Sequence, residues 1–233
     1  RHDRIPRSPT GPKGALTGTD METRNKPTQL GAATFWALVR KRAATTPDAP
    51  MLINQSGACM SFVEYACDAV HMAAWLHEQG VRPGSRVTWQ FPTTLQSAVL
   101  VAALARIGTV QNPIIHLYRE HEVRQVLREN RSDFFIVPER LGNHDFVAMA
   151  RTLAGDLEQP PTVLMLGQTK PVGDPGALPP TPQSGETPAW VFYTSGTTAA
   201  PKGAIHCDAA ILGAGMGLAT SYEFSPDDVG TLA

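Results

Sequence analysis

Hydroxyl side chains and one lysine are concentrated in a short stretch late in this sequence. The stretch reads Trp190-Val-Phe-Tyr-Thr-Ser-Gly-Thr-Thr-Ala-Ala-Pro-Lys-Gly203. Its small residues allow backbone N–H groups to approach an anion closely, its hydroxyls add hydrogen-bond donors, and Lys202 adds a positive charge. The apolar run from Trp190 to Tyr193 predicts a buried strand that leads into the loop. These residue types in this order indicate a loop that binds a polyphosphate.

Two familiar loops with related chemistry do not fit this stretch. A Walker A loop counted from Gly196 would need a second glycine where the chain has Pro201. A nucleophile elbow around Ser195 would need glycines where the chain has Tyr193 and Thr197. The stretch is therefore neither a Walker-type phosphate loop nor the nucleophilic serine of a hydrolase.

The segment Tyr193-Thr-Ser-Gly-Thr-Thr-Ala-Ala-Pro-Lys-Gly203 resembles the phosphate loop of the adenylate-forming, or AMP-binding, superfamily. That superfamily includes acyl-CoA synthetases, peptide-synthetase adenylation domains and luciferases, and its pattern is close to aromatic-Thr-Ser-Gly-Thr-Thr-Gly-x-Pro-Lys-Gly. Two further segments, Ser61-Phe-Val-Glu-Tyr65 and Gly80-Val-Arg-Pro-Gly-Ser-Arg-Val87, resemble the opening of an acyl-CoA synthetase. A third, Gly108-Thr-Val-Gln-Asn-Pro-Ile-Ile115, resembles alicyclic and fatty-acid-type ligases. The resemblance covers roughly residues 30–233, and the phosphate loop alone is specific by itself.

The resemblance implies a two-step reaction that uses MgATP, a small carboxylic acid and coenzyme A. The carboxylate attacks the α-phosphorus of ATP to give an acyl-adenylate and pyrophosphate, and a thiol then displaces AMP. Loop amides and hydroxyls would surround the β- and γ-phosphates, and Lys202 would act catalytically by screening the leaving pyrophosphate. No protein ligand to a metal is predicted. The residues expected to bind the nucleotide are Thr194, Ser195, Gly196, Thr197, Thr198, Lys202 and Gly203.

One loop position departs from the superfamily pattern. Ala199 stands where glycine is usual. If the backbone there needs a positive φ, alanine costs about 1 kcal/mol and would stiffen or distort the loop. A Thr-Ala pair in this place also resembles the cyclohexanecarboxylate-CoA ligase branch, so we do not take the alanine as inactivating.

Three functions stay open at this point. The leading one is an acid–thiol ligase that makes an acyl-CoA, of which this chain is the N-terminal part. The others are an adenylation domain that loads a carrier protein and a non-catalytic nucleotide-binding remnant. The superfamily motifs for adenine, ribose and the catalytic C-terminal domain are expected beyond Ala233, so residues 1–233 should not complete the reaction alone. We also expect Met21 rather than Arg1 to be the natural start, which N-terminal sequencing of the native product would test.

Short apolar segments alternate with longer segments of helical periodicity before the loop. This alternation predicts βαβ units and therefore an α/β fold with parallel sheets and flanking helices. The resemblance makes this an incomplete N-terminal part of the large domain of an adenylate-forming enzyme. Helices are predicted at 35–44, 62–79, 95–107, 119–130, 146–157 and 209–221, the last with Asp208 as a candidate N-cap. Strands are predicted at 50–54, 59–60, 87–91, 109–115, 133–137 and 162–166, and on both sides of the loop within 190–206.

Two segments lack this alternation. Residues 1–29 are polar and rich in proline, glycine, threonine and basic residues, so they are predicted to be a disordered tail. Residues 30–233 are predicted to form a partial AMP-binding domain, with the loop and its flanking strands at 190–206. Within that domain the proline- and glycine-rich segment 168–188 is predicted to be a flexible connector.

The composition indicates which classes of binding partner and which cellular compartment to expect. The net charge of −1 predicts no nucleic-acid or anionic-membrane partner. The three cysteines are too few and too scattered for a disulfide framework or a zinc site, so reduced thiols and a cytoplasmic location are expected. The longest apolar runs fall well short of the ~20 residues that a transmembrane helix needs, so no transmembrane segment is predicted.

Overall fold

The computed structural model describes residues 31–167, 169–194 and 202–231. The tail expected at 1–29 lies outside these residues, and so do the predicted loop positions Ser195, Gly196, Thr197, Thr198 and Ala199. The helices of the described part are α1 (Phe35–Thr45), α2 (Phe62–Glu78), α3 (Leu95–Ile107), α4 (Glu120–Asn130), α5 (Phe146–Gly155) and α6 (Asp208–Ser221). The strands are β1 (Pro50–Ile53), β2 (Cys59–Ser61), β3 (Arg86–Gln90), β4 (Val110–Ile114), β5 (Phe134–Val137), β6 (Arg140–Leu141), β7 (His144–Asp145), β8 (Thr162–Met165), β9 (Pro188–Thr194) and β10 (Lys202–Cys207).

The central sheet contains six of the described strands, in the order β10-β9-β4-β3-β5-β8. Every neighbouring pair in this order is parallel except β10 with β9, which is antiparallel. Helices connect most of the parallel strands, as βαβ units require. The predicted α/β fold, with a mostly parallel sheet and flanking helices, is confirmed. Two small antiparallel pairs, β1 with β2 and β6 with β7, lie outside this sheet.

The two faces of the sheet are covered by two separate hydrophobic clusters. Phe134 and Ile136 of β5 belong to the cluster that also contains buried residues of α1, α2 and α3. Phe135 and Val137 belong to the second cluster, with residues of α4 and α5. Successive side chains of a strand point to opposite faces, so β5 is buried on both sides. Full burial of each such side chain stabilises the fold by about 1.5–3 kcal/mol.

Helix α3 has clear start and stop signals. The Thr94 hydroxyl accepts a hydrogen bond from the Ser97 backbone N–H at 3.1 Å, which caps the N-terminal end. The helix ends at Gly108, whose φ of 88° lies in the left-handed region. A Cβ atom at Gly108 would also lie 2.8 Å from Cγ of Pro182. Glycine is therefore required at this end both by the backbone conformation and by the neighbouring segment.

A buried group of polar side chains joins the C-terminal end of α4 to the sheet. Thr88 Oγ1 accepts hydrogen bonds from Nδ2 of Asn112 at 3.1 Å and from Nδ2 of Asn130 at 3.2 Å. The Ser132 hydroxyl lies 2.6 Å from Thr88 Oγ1 and accepts a hydrogen bond from Asn130 at 3.0 Å. We call Thr88, Asn112, Asn130 and Ser132 the polar cluster. Because a buried donor without a partner costs about 1–3 kcal/mol, these bonds hold the end of α4 in one position on β3.

The segment expected to be a flexible connector runs over the helical layer next to α2 and α3. Its flexibility at 168–188 stays a prediction. Most of its described residues are exposed, yet its backbone makes specific hydrogen bonds. The Gly173 N–H donates to the carbonyl of His71 at 3.1 Å, and the Arg106 guanidinium donates to the carbonyl of Pro179 at 2.9 Å. These contacts hold the segment on the surface of the two helices.

The described residues were also considered for membrane-spanning helices and for disulfide bonds. Among the described helices, none combines the length and the hydropathy that crossing a bilayer requires. Cys59, Cys67 and Cys207 are free thiols, and the first two are exposed.

Replacing Thr88 by valine tests the structural role of the polar cluster. Valine keeps the shape and the strand preference of threonine but removes the oxygen that accepts from two buried amides. We expect Thr88→Val to lower the free energy of unfolding by about 1–3 kcal/mol. The matched control Thr162→Val changes an exposed threonine in β8 of the same sheet and should shift it by less than about 0.5 kcal/mol. Urea denaturation of both variants measures the difference, and equal effects would contradict the role assigned to the cluster.

Candidate functional site

The predicted phosphate-binding stretch lies at the turn of a β-hairpin. Strands β9 and β10 are antiparallel, with Thr194 opposite Lys202 and Tyr193 opposite Gly203. Residues that face each other in such a pair have Cα atoms about 4.5–5.5 Å apart. The hairpin therefore brings together two residues predicted to bind the nucleotide, Thr194 and Lys202, at the two ends of the loop.

The sheet determines where this loop emerges. Because β9 runs parallel to β4, the hairpin turn lies at the carboxyl end of the parallel strands. In open α/β sheets, ligands bind at this end. The Lys202 side chain is exposed, and within the described residues no carboxylate forms an ion pair with it. Its ammonium group is therefore available to an anionic ligand at the loop.

Gly203 has a packing role that its place in the motif did not reveal. A Cβ atom at this position would lie 3.0 Å from Cγ1 of Val191 and 3.1 Å from Cζ of Tyr193. Both distances are tighter than ordinary van der Waals contacts, so a larger residue would displace a side chain of β9. Glycine at position 203 therefore lets the Tyr193 ring lie across β10, directly beside the loop.

The Tyr193 side chain connects the hairpin to α4. Its ring is half-buried and packs against the second hydrophobic cluster. Burial, and to a smaller extent the nearby negative charge of Glu129, raise the pKa of Tyr193 to about 12. The phenol is therefore neutral at physiological pH.

A buried carboxylate fixes the base of the hairpin. Asp208 Oδ1 accepts a hydrogen bond from Nε1 of Trp190 at 2.7 Å, and Oδ2 accepts one from the Phe35 backbone N–H at 2.9 Å. Phe35 is the first residue of α1 and Asp208 the first of α6, so the negative charge lies at the N-terminal ends of two helices. The prediction that Asp208 caps α6 is wrong, since Cys207 holds the N-cap position. The carboxylate instead accepts the hydrogen bonds from Trp190 and Phe35.

A row of aromatic rings extends from Phe35 of α1 along one face of the hairpin. The Phe35 and Trp190 rings meet edge to face with centroids 5.8 Å apart. The Trp190 and Phe192 rings are stacked at 5.9 Å, and Phe192 meets His206 at 5.8 Å. Such pairs contribute about 0.5–1.5 kcal/mol each beyond burial of their area. The row makes α1 a structural support of the strand that carries the loop.

A small pocket lies at the opposite end of the sheet. Its volume is about 150 Å³, and its lining includes Thr109, Gln111, Pro188 and Asp208, near the beginnings of β4 and β9. Ligand pockets usually measure about 300–1,000 Å³. Its size and its distance from the loop leave the hairpin turn as the better candidate for nucleotide chemistry.

The sequence predicted the loop but not the contacts that support its flanking strands. Thr194, Lys202 and Gly203 lie where the hairpin meets the loop. The contribution of Asp208 was missed, because its partner Phe35 is far away in the sequence. A buried aspartate directly after a strand was the only signal, and it fitted a helix cap equally well.

Comparison with known proteins is consistent with this geometry. Residues 39–232 match the family described as AMP-binding enzyme. Enterobactin synthase component F of Escherichia coli K12 is 25% identical over 202 residues, which are 86% of this chain and 14% of that protein. Sulfoacetate–CoA ligase of Cupriavidus necator is 26% identical over 204 residues, which are 84% of this chain and 39% of that protein.

A solved structure shares the fold. The fatty acyl-adenylate ligase from L. pneumophila, in complex with acyl adenylate and pyrophosphate, superposes with a TM-score of 0.68 at 19% identity. The match covers 84% of this chain and 34% of that one. The chain thus spans between 14% and 39% of the length of these three proteins.

Removing the Asp208 carboxylate tests its role at the base of the hairpin. Asp208→Ala leaves two buried N–H donors without an acceptor, and we expect the free energy of unfolding to fall by roughly 2–4 kcal/mol. Asp208→Asn retains one acceptor oxygen and should lose clearly less. Asp227→Ala, at an exposed aspartate, is the matched control and should change little. Urea unfolding of the three variants gives the comparison, and an Asp208→Ala chain as stable as the control would refute the assignment.

Proposed function

We propose that this chain, which belongs to the AMP-binding enzyme family, carries the ATP-phosphate site of an enzyme that activates a carboxylic acid. The observation that supports this most directly is the hairpin. It presents the exposed ammonium of Lys202 opposite Thr194, at the carboxyl end of the parallel strands. Ser195, Gly196, Thr197 and Thr198 complete the proposed loop.

The proposed first step transfers an adenylyl group. A carboxylate oxygen of the acid forms a bond to the α-phosphorus of MgATP, and the bond from that phosphorus to the β-phosphate oxygen breaks. Pyrophosphate leaves with the electron pair, so negative charge develops beside the loop. Lys202 and the loop hydroxyls would stabilise that charge and hold the phosphates in line, which is electrostatic and positional catalysis.

The proposed second step moves the acyl group to a thiol. The thiol sulfur bonds to the acyl carbon, the bond from that carbon to the adenylate oxygen breaks, and AMP leaves. We propose coenzyme A as the acceptor, because sulfoacetate–CoA ligase is among the matched relatives. This makes the whole protein an AMP-forming acid–thiol ligase, active on a cyclic or medium-chain acid in the cytoplasm.

A carrier protein is the second candidate for the acceptor. The observation that favours it is the match to enterobactin synthase component F, which covers 86% of this chain. The two candidates differ in the product. The intact polypeptide from its native source, supplied with ATP and a panel of acids, would form a free acyl-CoA in the first case. In the second case it would acylate only a phosphopantetheine-bearing carrier protein.

The third candidate function is that of a nucleotide-binding domain without catalytic activity, a remnant of such an enzyme. It rests on Ala199, which stands where the superfamily pattern has glycine. If the alanine impairs the loop, Ala199→Gly should strengthen MgATP binding severalfold. If the loop is intact as it stands, the same change should leave the affinity nearly unaltered.

Calorimetric titration with MgATP and with pyrophosphate tests the phosphate site itself. We expect the chain to bind both, and Lys202→Ala to weaken binding roughly tenfold, because one charge-assisted contact is lost. Lys170→Ala removes an exposed lysine that pairs with Asp68 far from the loop and serves as the control. Absence of binding by the unchanged chain, or equal binding by both variants, would contradict the proposal. ATP–pyrophosphate exchange by residues 1–233 alone is expected to stay at background.

A further inference from the structure

We propose that the small pocket at the amino ends of β4 and β9 binds a small protonated amine with a short alkyl chain. The pocket has a volume of about 150 Å³, and its lining includes Gln111 and Asp208. One water molecule needs roughly 10–15 Å³ of such space, so the pocket has room for a ligand of a few non-hydrogen atoms. Thr194 and Lys202 are not among the described residues that line it, so the proposal is independent of the phosphate site.

The first support is the charge of the pocket. Among the described residues that line it, Asp208 is the only one with an ionisable side chain. Its carboxylate is buried, and each oxygen accepts one hydrogen bond, from Trp190 and from Phe35. A carboxylate offers about four lone-pair sites, so it can accept further hydrogen bonds. A negative charge away from water repels an anion and attracts a cation, which favours a positively charged ligand.

The second support is a buried acceptor that has no partner. Gln111 is 1% exposed, and its Nε2 donates to the carbonyl oxygen of Val101 at 3.2 Å. Because a carbonyl can only accept, this bond fixes the orientation of the side-chain amide. Gln111 Oε1 has no hydrogen-bond partner among the described residues. Buried polar atoms are almost always paired, so this oxygen suits a ligand that donates hydrogen bonds.

The third support is the shortage of donors in the wall. Four of the described residues that line the pocket are prolines, namely Pro83, Pro180, Pro182 and Pro188. Proline has no backbone N–H, so these residues contribute carbonyl oxygens and apolar rings but no donor. The pocket therefore combines acceptors with apolar surface. An ammonium group has three donors and no acceptor, and a short alkyl chain matches the apolar part of the wall.

The wall is held in place by contacts between distant segments. The segment that carries Pro180 and Pro182 is held at one end by Arg106, whose guanidinium donates to the carbonyl of Pro179 at 2.9 Å. At its other end, the carbonyl of Gly185 accepts a hydrogen bond from the Ala209 N–H at 2.9 Å. These bonds form the pocket before a ligand arrives, so binding costs little ordering of the chain.

Calorimetric titration of the whole chain with propylammonium chloride tests the pocket. We expect a dissociation constant on the order of 1 mM, as a ligand of four non-hydrogen atoms allows. Propan-1-ol and sodium propionate have a similar size but lack the positive charge, and they should bind at least roughly tenfold more weakly. Sodium chloride and potassium chloride at equal concentration show whether a metal cation takes the same place.

Three variants connect the binding to the pocket. Gln111→Met keeps the length of the side chain but removes the acceptor, and it should weaken propylammonium binding roughly tenfold. Ala189→Leu fills the pocket without changing Gln111 or Asp208, and it should abolish binding. Ala44→Leu, at an exposed alanine of α1, is the matched control. Cooperative urea unfolding shows which variants are folded, and either pocket variant is sufficient for the test.

Selective propylammonium binding that is lost in the pocket variants and kept in Ala44→Leu supports the proposal. No binding by the unchanged chain, equal binding of propan-1-ol, or full binding by a folded pocket variant refutes it. Displacement by sodium or potassium chloride would assign the pocket to a metal cation, and tighter binding of Nα-acetyl-lysinamide would assign it to a lysine of a protein partner. Both results contradict a free amine. Lys202→Ala should bind propylammonium normally, so the phosphate site and the pocket are tested separately.

Discussion

The placement of the hairpin depends on the buried carboxylate of Asp208. An ionised side chain removed from water is costly unless its oxygens are satisfied. Here one oxygen binds the indole of Trp190 in β9, and the other binds the backbone of Phe35 at the start of α1. The same requirement therefore holds three elements together: the first helix, the strand that leads into the loop, and the helix that follows the hairpin. The aromatic contact of Phe35 with Trp190 adds apolar packing to the same junction.

A second set of contacts acts at the other end of β9. At the base, Trp190 is held from the side of α1. Near the loop, the Tyr193 ring packs against the second hydrophobic cluster, which contains residues of α4 and α5. Alternation of side chains along a strand makes this possible, because positions 190 and 193 point to opposite faces of the sheet. The strand is thus supported from both layers, which limits its rotation and keeps Thr194 opposite Lys202.

Features set by neighbouring residues could be predicted from the sequence, whereas contacts between residues far apart in the sequence could not. Helices and strands before the loop were predictable because hydrophobic periodicity is local, and the predicted α3 at 95–107 agrees with the observed Leu95–Ile107. The phosphate loop stays a prediction from a contiguous motif, while the strands expected on both sides of it are present as β9 and β10. The role of Asp208 was not, because one partner, Phe35, lies 173 residues away. The close packing at Gly203 likewise depends on cross-strand register, which a motif does not specify.

In the reaction proposed for this family member, the supports of the hairpin would act on the phosphate part and not on the acid or the thiol. Lys202 lies at the loop, and the contacts behind Tyr193 and Trp190 come from helices of the described core. The charge that they would stabilise is that of pyrophosphate, which leaves in the same step whichever acid is activated. Such a role would be compatible with relatives as different as sulfoacetate–CoA ligase and enterobactin synthase component F. Under this proposal, selection among acids and acceptors would fall to side chains outside this hairpin, which could vary without disturbing its geometry.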